Sequence, residues 1–268
     1  MNKMKILLLN FMFAATALTA FSQQRDPWSG KKAAVVITYD DAIDQHLDNA
    51  APVLDSLGIK ASFYITAASA SVKTRLNEWR QLAVNGHELG NHTIYHPCTG
   101  GTGREWVPKD YDLRSYSVQR MVDEIRLTNI FLQALDGKTK RTYAYTCGDM
   151  MINDSAYFES LKPEFVAARG VRAQLQSPDS VDLYNVDCFV VNNHSADEMI
   201  SWVKKASEQG ALLVVLFHGV GGGNGLDVSI DAHRNFLQYL KSRESELLIT
   251  TLLDAGERIR ERNQKVKN

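Results

Sequence analysis

Only three cysteines and six prolines occur in 268 residues, and the charges nearly balance, with 31 acidic against 30 basic residues for a net charge of -1. Each shortage excludes something. Cys98, Cys147 and Cys188 allow at most one internal bridge, so the chain is not a disulfide scaffold. Near-neutral charge without a block of one sign lacks the basic face that a nucleic-acid partner requires. No repeat, low-complexity stretch or Pro-rich linker divides the chain. Apolar content of 44% and charged content of 23% are those of an ordinary globular protein.

What is present begins with a leader. Lys3 and Lys5 precede the apolar stretch "ILLLNFMFAATALTAF", and the small residues Ala20 and Ser22 flank a cut before Gln23. This is the pattern of a secretory signal peptide over residues 1–22. The rival is a membrane anchor, but the run is short for a span and has no polybasic stop after it. No Cys stands at the cut, which argues against a lipoprotein. The expectation is export to the periplasm or the medium, with no stable membrane insertion after cleavage. Loss of two lysines takes the net charge to -3. Short connections favour a single domain over residues 23–268.

Strand and helix alternate from there. "AAVVITY" (33–39), "ASFYIT" (61–66), "HELGNH" (87–92), "RTYAYTCG" (141–148), "FVAARGV" (165–171), "ALLVVLFH" (211–218) and "ELLITT" (246–251) read as strands. Helical periodicity appears over 47–58, 74–86, 117–137, 155–161, 195–210, 229–242 and 252–264. Gly58, Gly86 and Gly137 are stops, and Ser195 with Glu198 forms a capping box. Residues 97–114 read as a loop, and 173–193 stay ambiguous around the apolar "CFVV". Near-continuously apolar strands alternating with helices predict an α/β fold with a mainly parallel sheet, open or closed into a barrel.

In such folds chemistry collects at the C-terminal strand ends. Those ends carry Asp40 and Asp41; His92 and His96; Tyr145, Cys147 and Gly148; Arg169; and His218. Two adjacent carboxylates repel each other unless something offsets the charge. His92 and His96 are four apart, a spacing that on a helical turn puts both imidazoles on one face. Two imidazoles and one carboxylate form an open zinc set with room for water and substrate. One Asp then binds the cation and the other is free to act as a base. His218 ends a strand and precedes "GVGGG", which leaves its ring at a loop mouth, where it can serve as a general acid.

"TYDD", "HTIYH" and "LFH", in this order and spacing, resemble the motifs of the polysaccharide deacetylases, carbohydrate esterase family 4 or the NodB-homology domain, across residues 32–260. The resemblance implies a distorted (β/α) barrel and metal-dependent removal of acetyl groups from sugars. Residue by residue, it makes Asp40 the catalytic base, Asp41, His92 and His96 the metal ligands, and His218 the general acid. Leu216 would line the acetyl pocket. The family's third motif, usually Arg-Pro-Pro-Tyr, corresponds here to "AYTCG", so the oxyanion donor would be the Cys147 N–H, supported by Tyr145. Ala144 stands where the family's arginine steadies the base. Arg169 from the next strand end is one substitute, and Arg141 is the rival. The fourth motif is not recognisable, and Asp182, Asp187 and His194 all stand as partners for His218.

The implied cofactor is one divalent ion, zinc first on the chemistry of two nitrogens and a carboxylate, with Co2+, Ni2+ or Mn2+ suiting the same ligands. The implied partner is an acetylated glycan: peptidoglycan, a chitin fragment or acetylated xylan. Trp106 in "GGTGREW" is either a platform for a sugar face or a buried loop anchor. A Cys147 nucleophile with His218 is a competing enzyme reading, which leaves the paired aspartates unexplained. An inactive sugar-binding module on the same fold is a second alternative, which sits poorly with all five polar residues being retained. On the barrel reading Cys98 and Cys147 share one rim, which predicts their disulfide and leaves Cys188 free.

Overall fold

Runs of Ala, Val, Ile and Leu set up the central strands Ala33–Tyr39 and Leu212–Phe217, which are buried on both faces. The structure is a computed structural model that describes residues 26–267, so the expected leader lies outside the described residues. Along the chain come β1 (Ala33–Tyr39), α1 (Ala51–Leu57), β2 (Ser62–Ile65), α2 (Ala70–Thr74), α3 (Leu76–Val84), β3 (Glu88–Asn91), α4 (Val118–Asp136) and β4 (Thr142–Ala144). A small hairpin, β5 (Met151–Ile152) with β6 (Ser155–Ala156), precedes β7 (Ala167–Arg169), β8 (Phe189–Val190), α5 (Ala196–Gln209) and β9 (Leu212–Phe217). The chain ends with β10 (Gly219–Val220), β11 (Asp227–Val228), α6 (Ile230–Ser242), β12 (Leu247–Thr250) and α7 (Leu252–Lys267). Among the described residues, no helix is long and apolar enough to cross a membrane.

The main sheet is parallel, in the order β7-β4-β3-β2-β1-β9-β8. β12 lies beside the first half of β1 (Ala33–Val36), and β2 beside its end (Thr38 and Tyr39). The gap between β7 and β8 is bridged by residues 183–188. Ala168 and Gly170 donate backbone N–H groups to Leu183 and Val186, and the chain then runs straight into β8 beside β9. The result is a distorted (β/α) barrel whose wall is complete only with this irregular segment. The ambiguous stretch 173–193 is therefore mostly coil, and "CFVV" supplies a two-residue edge strand.

One helical expectation is corrected. The segment 155–161 is not a helix: Asn153 turns the chain at φ 50 into the β5–β6 hairpin, and a 3-10 turn over Glu159–Glu164 carries Pro163. Pro163 has no N–H to donate into a helical ladder, which keeps that turn short. The expected helix 74–86 is α3, Leu76–Val84, which Arg75 separates from α2 while pairing with Asp44, Asp48 and Glu78.

Period-two alternation sorts the wall into two faces. Ala33, Val35, Ile37 and Tyr39 join the core shared with α1, α3, α5 and α6, whereas Ala34 and Val36 face the barrel interior with Tyr64, Ala144, Ala167, Leu212, Val214 and Leu216. The same parity sends Asp40, His92 and Arg169 inward at the C-terminal end. Inside, the Tyr64 ring lies across Gly90, where an added Cβ would come within 2.5 Å of it. Tyr64 also carries the Arg169 guanidinium at 5.2 Å from its ring centre and holds Thr142 through its hydroxyl at 2.9 Å. Gly90→Ala should therefore lower stability by about 2 kcal/mol through overpacking, read by urea unfolding. A change under about 0.5 kcal/mol would show that the ring moves aside freely.

Candidate active site

β1 ends where Asp40 donates its N–H to the Phe217 carbonyl, and the chain then turns through Asp41 (φ 80) and Ala42 (φ 51). Asp40 is buried and its two oxygens lie 2.6 and 2.5 Å from Arg169 Nη2. Arg169 comes from β7, directly across from Ala144 in the register. It thus occupies the neighbouring strand position to the one where the resemblance expects an arginine. Its Nη1 donates to the Gly170 carbonyl at 2.9 Å, and the buried Cys188 thiol packs against it. Arg141 instead pairs with Asp136 and takes no part.

The His92–His96 pair is not on a helical turn, which corrects that expectation. His92 follows β3 directly, and the turn to His96 includes left-handed Thr93 (φ 65) and His96 (φ 55). A β-branched residue in that region is strained, and several bonds hold it there. The Thr93 and Ile94 carbonyls accept from Ala67 and Ala68, and Thr93 Oγ1 accepts from the His96 N–H at 2.9 Å. Buried Glu124 on α4 accepts the Ile94 and Tyr95 N–H groups at 3.2 and 3.0 Å. Glu124 was not legible as a site residue, because its work is done on backbone.

The imidazoles meet with ring centres 4.8 Å apart. His92 Nδ1–H donates to the Ala144 carbonyl at 2.9 Å, which leaves a lone pair on Nε2. Asp41 Oδ1 lies 3.5 Å from His92 Nε2 and 3.3 Å from His96 Nε2, is buried, and has no hydrogen-bond partner. Two atoms bound to one tetrahedral ion at about 2.05 Å sit roughly 3.3 Å apart. The separations and the orphaned oxygen fit a divalent cation among Asp41, His92 and His96. A second cluster of His96, Cys98 and Cys147 does not fit one, because the two sulfurs are bonded to each other.

Charge placement follows. Burial would push the Asp40 carboxyl up, but Arg169, then His92 and His218, outweigh burial and hold it below the ordinary value. Asp41 is held well below the carboxylate range: burial opposes this, and the neighbouring imidazoles, His92 first and then His96, overcome it. Burial pushes His92 down, yet the two aspartates raise it, whereas burial and the neighbouring His92 lower His96 to about 4. A proton on His92 and a cation among Asp41, His92 and His96 would therefore be alternatives.

His218 follows β9, and its Nδ1 is buried without a hydrogen-bond partner. None of the three expected partners serves it. Asp187 pairs with Arg172, Asp182 accepts the Tyr184 N–H, and His194 accepts the Asn192 N–H. The backbone of His218 is held instead by buried His46, whose Nε2–H donates to its carbonyl at 2.7 Å. Leu216 and Cys147 line the same cleft of about 860 Å³, together with Tyr145, Val171, Val190 and Leu226. The Tyr145 hydroxyl bonds to the Tyr184 carbonyl at 2.9 Å, and its N–H to Arg169, so it supports the wall. Trp106 stands on the rim, 62% exposed, and is no buried anchor. Cys98 and Cys147 form a disulfide with Cα atoms 5.8 Å apart, and Cys147 is itself left-handed (φ 55). Arg104 reinforces that loop through Asp149 at 2.6 Å and the Cys147 carbonyl at 3.2 Å.

With this geometry in place, residues 29–162, half of the chain, match the family described as polysaccharide deacetylase. The chain belongs to that family. Its fold is similar to the Bc1960 peptidoglycan N-acetylglucosamine deacetylase in complex with a hydroxamate-type benzamide (22% identity, TM-score 0.57, 84% of this chain and 88% of that one). It is also similar to the polysaccharide deacetylase Bc1974 from Bacillus cereus (14%, 0.50, 82% and 91%). A mutant of BA3943, a pseudoenzyme of carbohydrate esterase family 4, is similar as well (15%, 0.53, 85% and 68%). At these identities the likeness concerns the fold. A Bacillus gellan lyase is 25% identical over 167 residues, 62% of this chain but only 6% of that protein's length. Arg169, Leu216 and His218 lie beyond the family match, and the barrel brings them to it.

Two outcomes follow from the buried charges. Arg169→Leu leaves the Asp40 carboxylate buried without its partner and should cost about 3–5 kcal/mol in urea unfolding; a loss below 1 kcal/mol would mean that water reaches Asp40. Burial lowers His46 to about 4, so it folds neutral while the unfolded chain takes a proton near pH 6.5. Its contribution, about 3 kcal/mol, is complete above pH 6.5 and is lost as pH falls toward 4. His46→Gln keeps an N–H for the His218 carbonyl and removes the titration. Its unfolding midpoint should vary less across that window than the parent's; superimposable pH curves would contradict the assignment.

Proposed function

We propose that the protein is a metal-dependent hydrolase that removes N- or O-acetyl groups from a polysaccharide or oligosaccharide. The observation that carries this reading is the convergence of Asp41 Oδ1, His92 Nε2 and His96 Nε2 beside a second carboxylate, Asp40, that is clamped by Arg169. Asp41, His92 and His96 would hold the ion, with zinc the best match to the donor set. When bound, the ion supplies a Lewis acid for an acetyl carbonyl and lowers the pKa of a water molecule.

The side chains divide the remaining work. Asp40, kept ionised by Arg169, accepts a proton from the attacking water. Its distance of 3.7 Å from His92 Nε2 sets it next to the ligands and outside their set. The Cys147 N–H donates to the developing oxyanion, from a backbone fixed by the disulfide. His218 delivers a proton to the leaving nitrogen or oxygen. Leu216, with Val190 and Leu226, offers an apolar wall to the acetyl methyl, and Trp106 offers an indole face to a sugar ring. No covalent intermediate on the protein is required, and Cys147, being in a disulfide, is not a nucleophile.

Export is part of the same proposal: the leader pattern and the disulfide both suit an oxidising compartment. The likeness to a pseudoenzyme keeps an inactive sugar binder as the alternative outcome of the test. Asp40→Asn should retain the divalent ion and lose acetate release by at least 100-fold on a panel of acetylated chitin, xylan and peptidoglycan fragments. His92→Ala should lose ion and activity together. Acetate release by metal-free protein, or full turnover by Asp40→Asn with deamidation excluded, refutes the mechanism, and metal content without acetate release favours the inactive binder.

A further inference from the structure

The stretch "GVGGGNGLD" follows His218 and reads in the sequence only as a loop. In the structure it has a defined shape. Gly219 and Val220 pair in parallel with Asp227 and Val228, so six residues must fold back sharply between them. Gly221, Gly222 and Gly223 do this with φ of 71, 111 and 88, values that side-chain-bearing residues rarely adopt. The loop also seats against the segment after the paired aspartates. Asn49 Nδ2 donates to the Val220 carbonyl at 2.7 Å, and a Cβ on Gly223 would fall 2.1 Å from Gln45 Oε1.

The turn delivers Asn224 to Asp41. The Leu226 N–H is a donor, so the Asn224 atom it meets at 2.9 Å must be the amide oxygen. The amide NH2 then faces the other way, and Nδ2 lies 3.0 Å from Asp41 Oδ2. The two oxygens of Asp41 thus have separate surroundings. Oδ2 accepts from Asn224, while Oδ1 has no partner and points between the two imidazoles.

We propose that Asn224 is a positioning residue that holds Asp41 as a one-oxygen ligand of the cation. This rests on the metal-centre reading above. A carboxylate free to rotate can offer both oxygens to an ion and fill a position that water or substrate needs. The Asn224 amide prevents the rotation, and being neutral it does so without repelling the cation. Groups that orient a ligand in this way typically contribute 10–100-fold to metal affinity. The glycines are then required because no bulkier backbone brings the amide to that point.

The test uses the full chain stripped of metal, with Zn2+ affinity read by competition against a chromophoric chelator and ligation read from the visible spectrum of the Co2+ form. Asn224→Ala should bind Zn2+ about 10–100-fold more weakly and alter the Co2+ bands, with an unchanged melting temperature in the metal-free state. Gly223→Ala, which misplaces the loop while retaining Asn224, should show the same loss, and the double variant should be no worse than either single one. Parent-like Zn2+ affinity and Co2+ spectra in both single variants overturn the role of Asn224 alone. Failure of the parent chain itself to bind Zn2+ or Co2+ overturns the metal-centre reading and this proposal with it.

Discussion

The buried ion pair between Arg169 and Asp40 constrains everything around it. Neither charge is tolerable alone in a site of this burial, where desolvation of a single ion amounts to several kcal/mol. Together they fix one another at 2.5–2.6 Å. Arg169 is held from beneath by the Tyr64 ring and from the side by Cys188 and the Gly170 carbonyl, so Asp40 inherits the rigidity of β2 and β7. The pair also gives the two aspartates different surroundings. Both Asp40 oxygens are engaged by the guanidinium, whereas Asp41 keeps an oxygen with no partner. Adjacent carboxylates become compatible because each has a different counter-charge: an arginine for one and the imidazole pair, or a cation, for the other.

Around that pair the backbone is forced into conformations it would otherwise avoid. Among the described residues, eight non-glycine residues have positive φ, and five of them, Asp41, Ala42, Thr93, His96 and Cys147, belong to this rim. Such residues persist only where surrounding contacts over-determine them. Here Glu124 fixes the histidine turn, and the Cys98–Cys147 bridge fixes the wall beyond it. The bridge closes a loop with a sequence separation of 49, worth about 4 kcal/mol in the chain-entropy picture. The bridge thus ties the folded chain at the same rim that carries the strained residues.

Much of this was legible in the sequence, and the reason is periodicity. Apolar runs marked the strands, and the C-terminal ends of those runs named Asp40, Asp41, His92, His96, Arg169 and His218. Parity in β1 and β7 adds that Asp40 and Arg169 point into the same interior, a signal available from "AAVVITYD" and "AAR" once both are taken as parallel strands. What escaped is structure made by backbone hydrogen bonds over short distances. The spacing of His92 and His96 suits a helical turn, but Glu124, thirty residues away, organises an irregular one. The hairpin at Asn153 is likewise a turn inside a segment whose composition still suits a helix. His46 could not be distinguished from a surface histidine, since its role depends on a carbonyl rather than a side chain.

The position of the arginine shows how loosely a motif is tied to the physics it serves. The family usually carries this charge in its third motif, at the position of Ala144, and Arg169 is the register partner of Ala144 on the adjacent strand. What the buried Asp40 carboxylate requires is a guanidinium within reach of both its oxygens and shielded from water. Two neighbouring parallel strands, about 4.8 Å apart, are equally able to supply one. Moving the charge to β7 leaves a methyl group at 144, and the carbonyl of that residue remains free to orient His92. The substitution thus separates two tasks that share one strand end in the family pattern: β4 orients His92, and β7 holds the Asp40 carboxylate. A motif search sees a missing arginine, whereas the barrel register supplies it from the next strand.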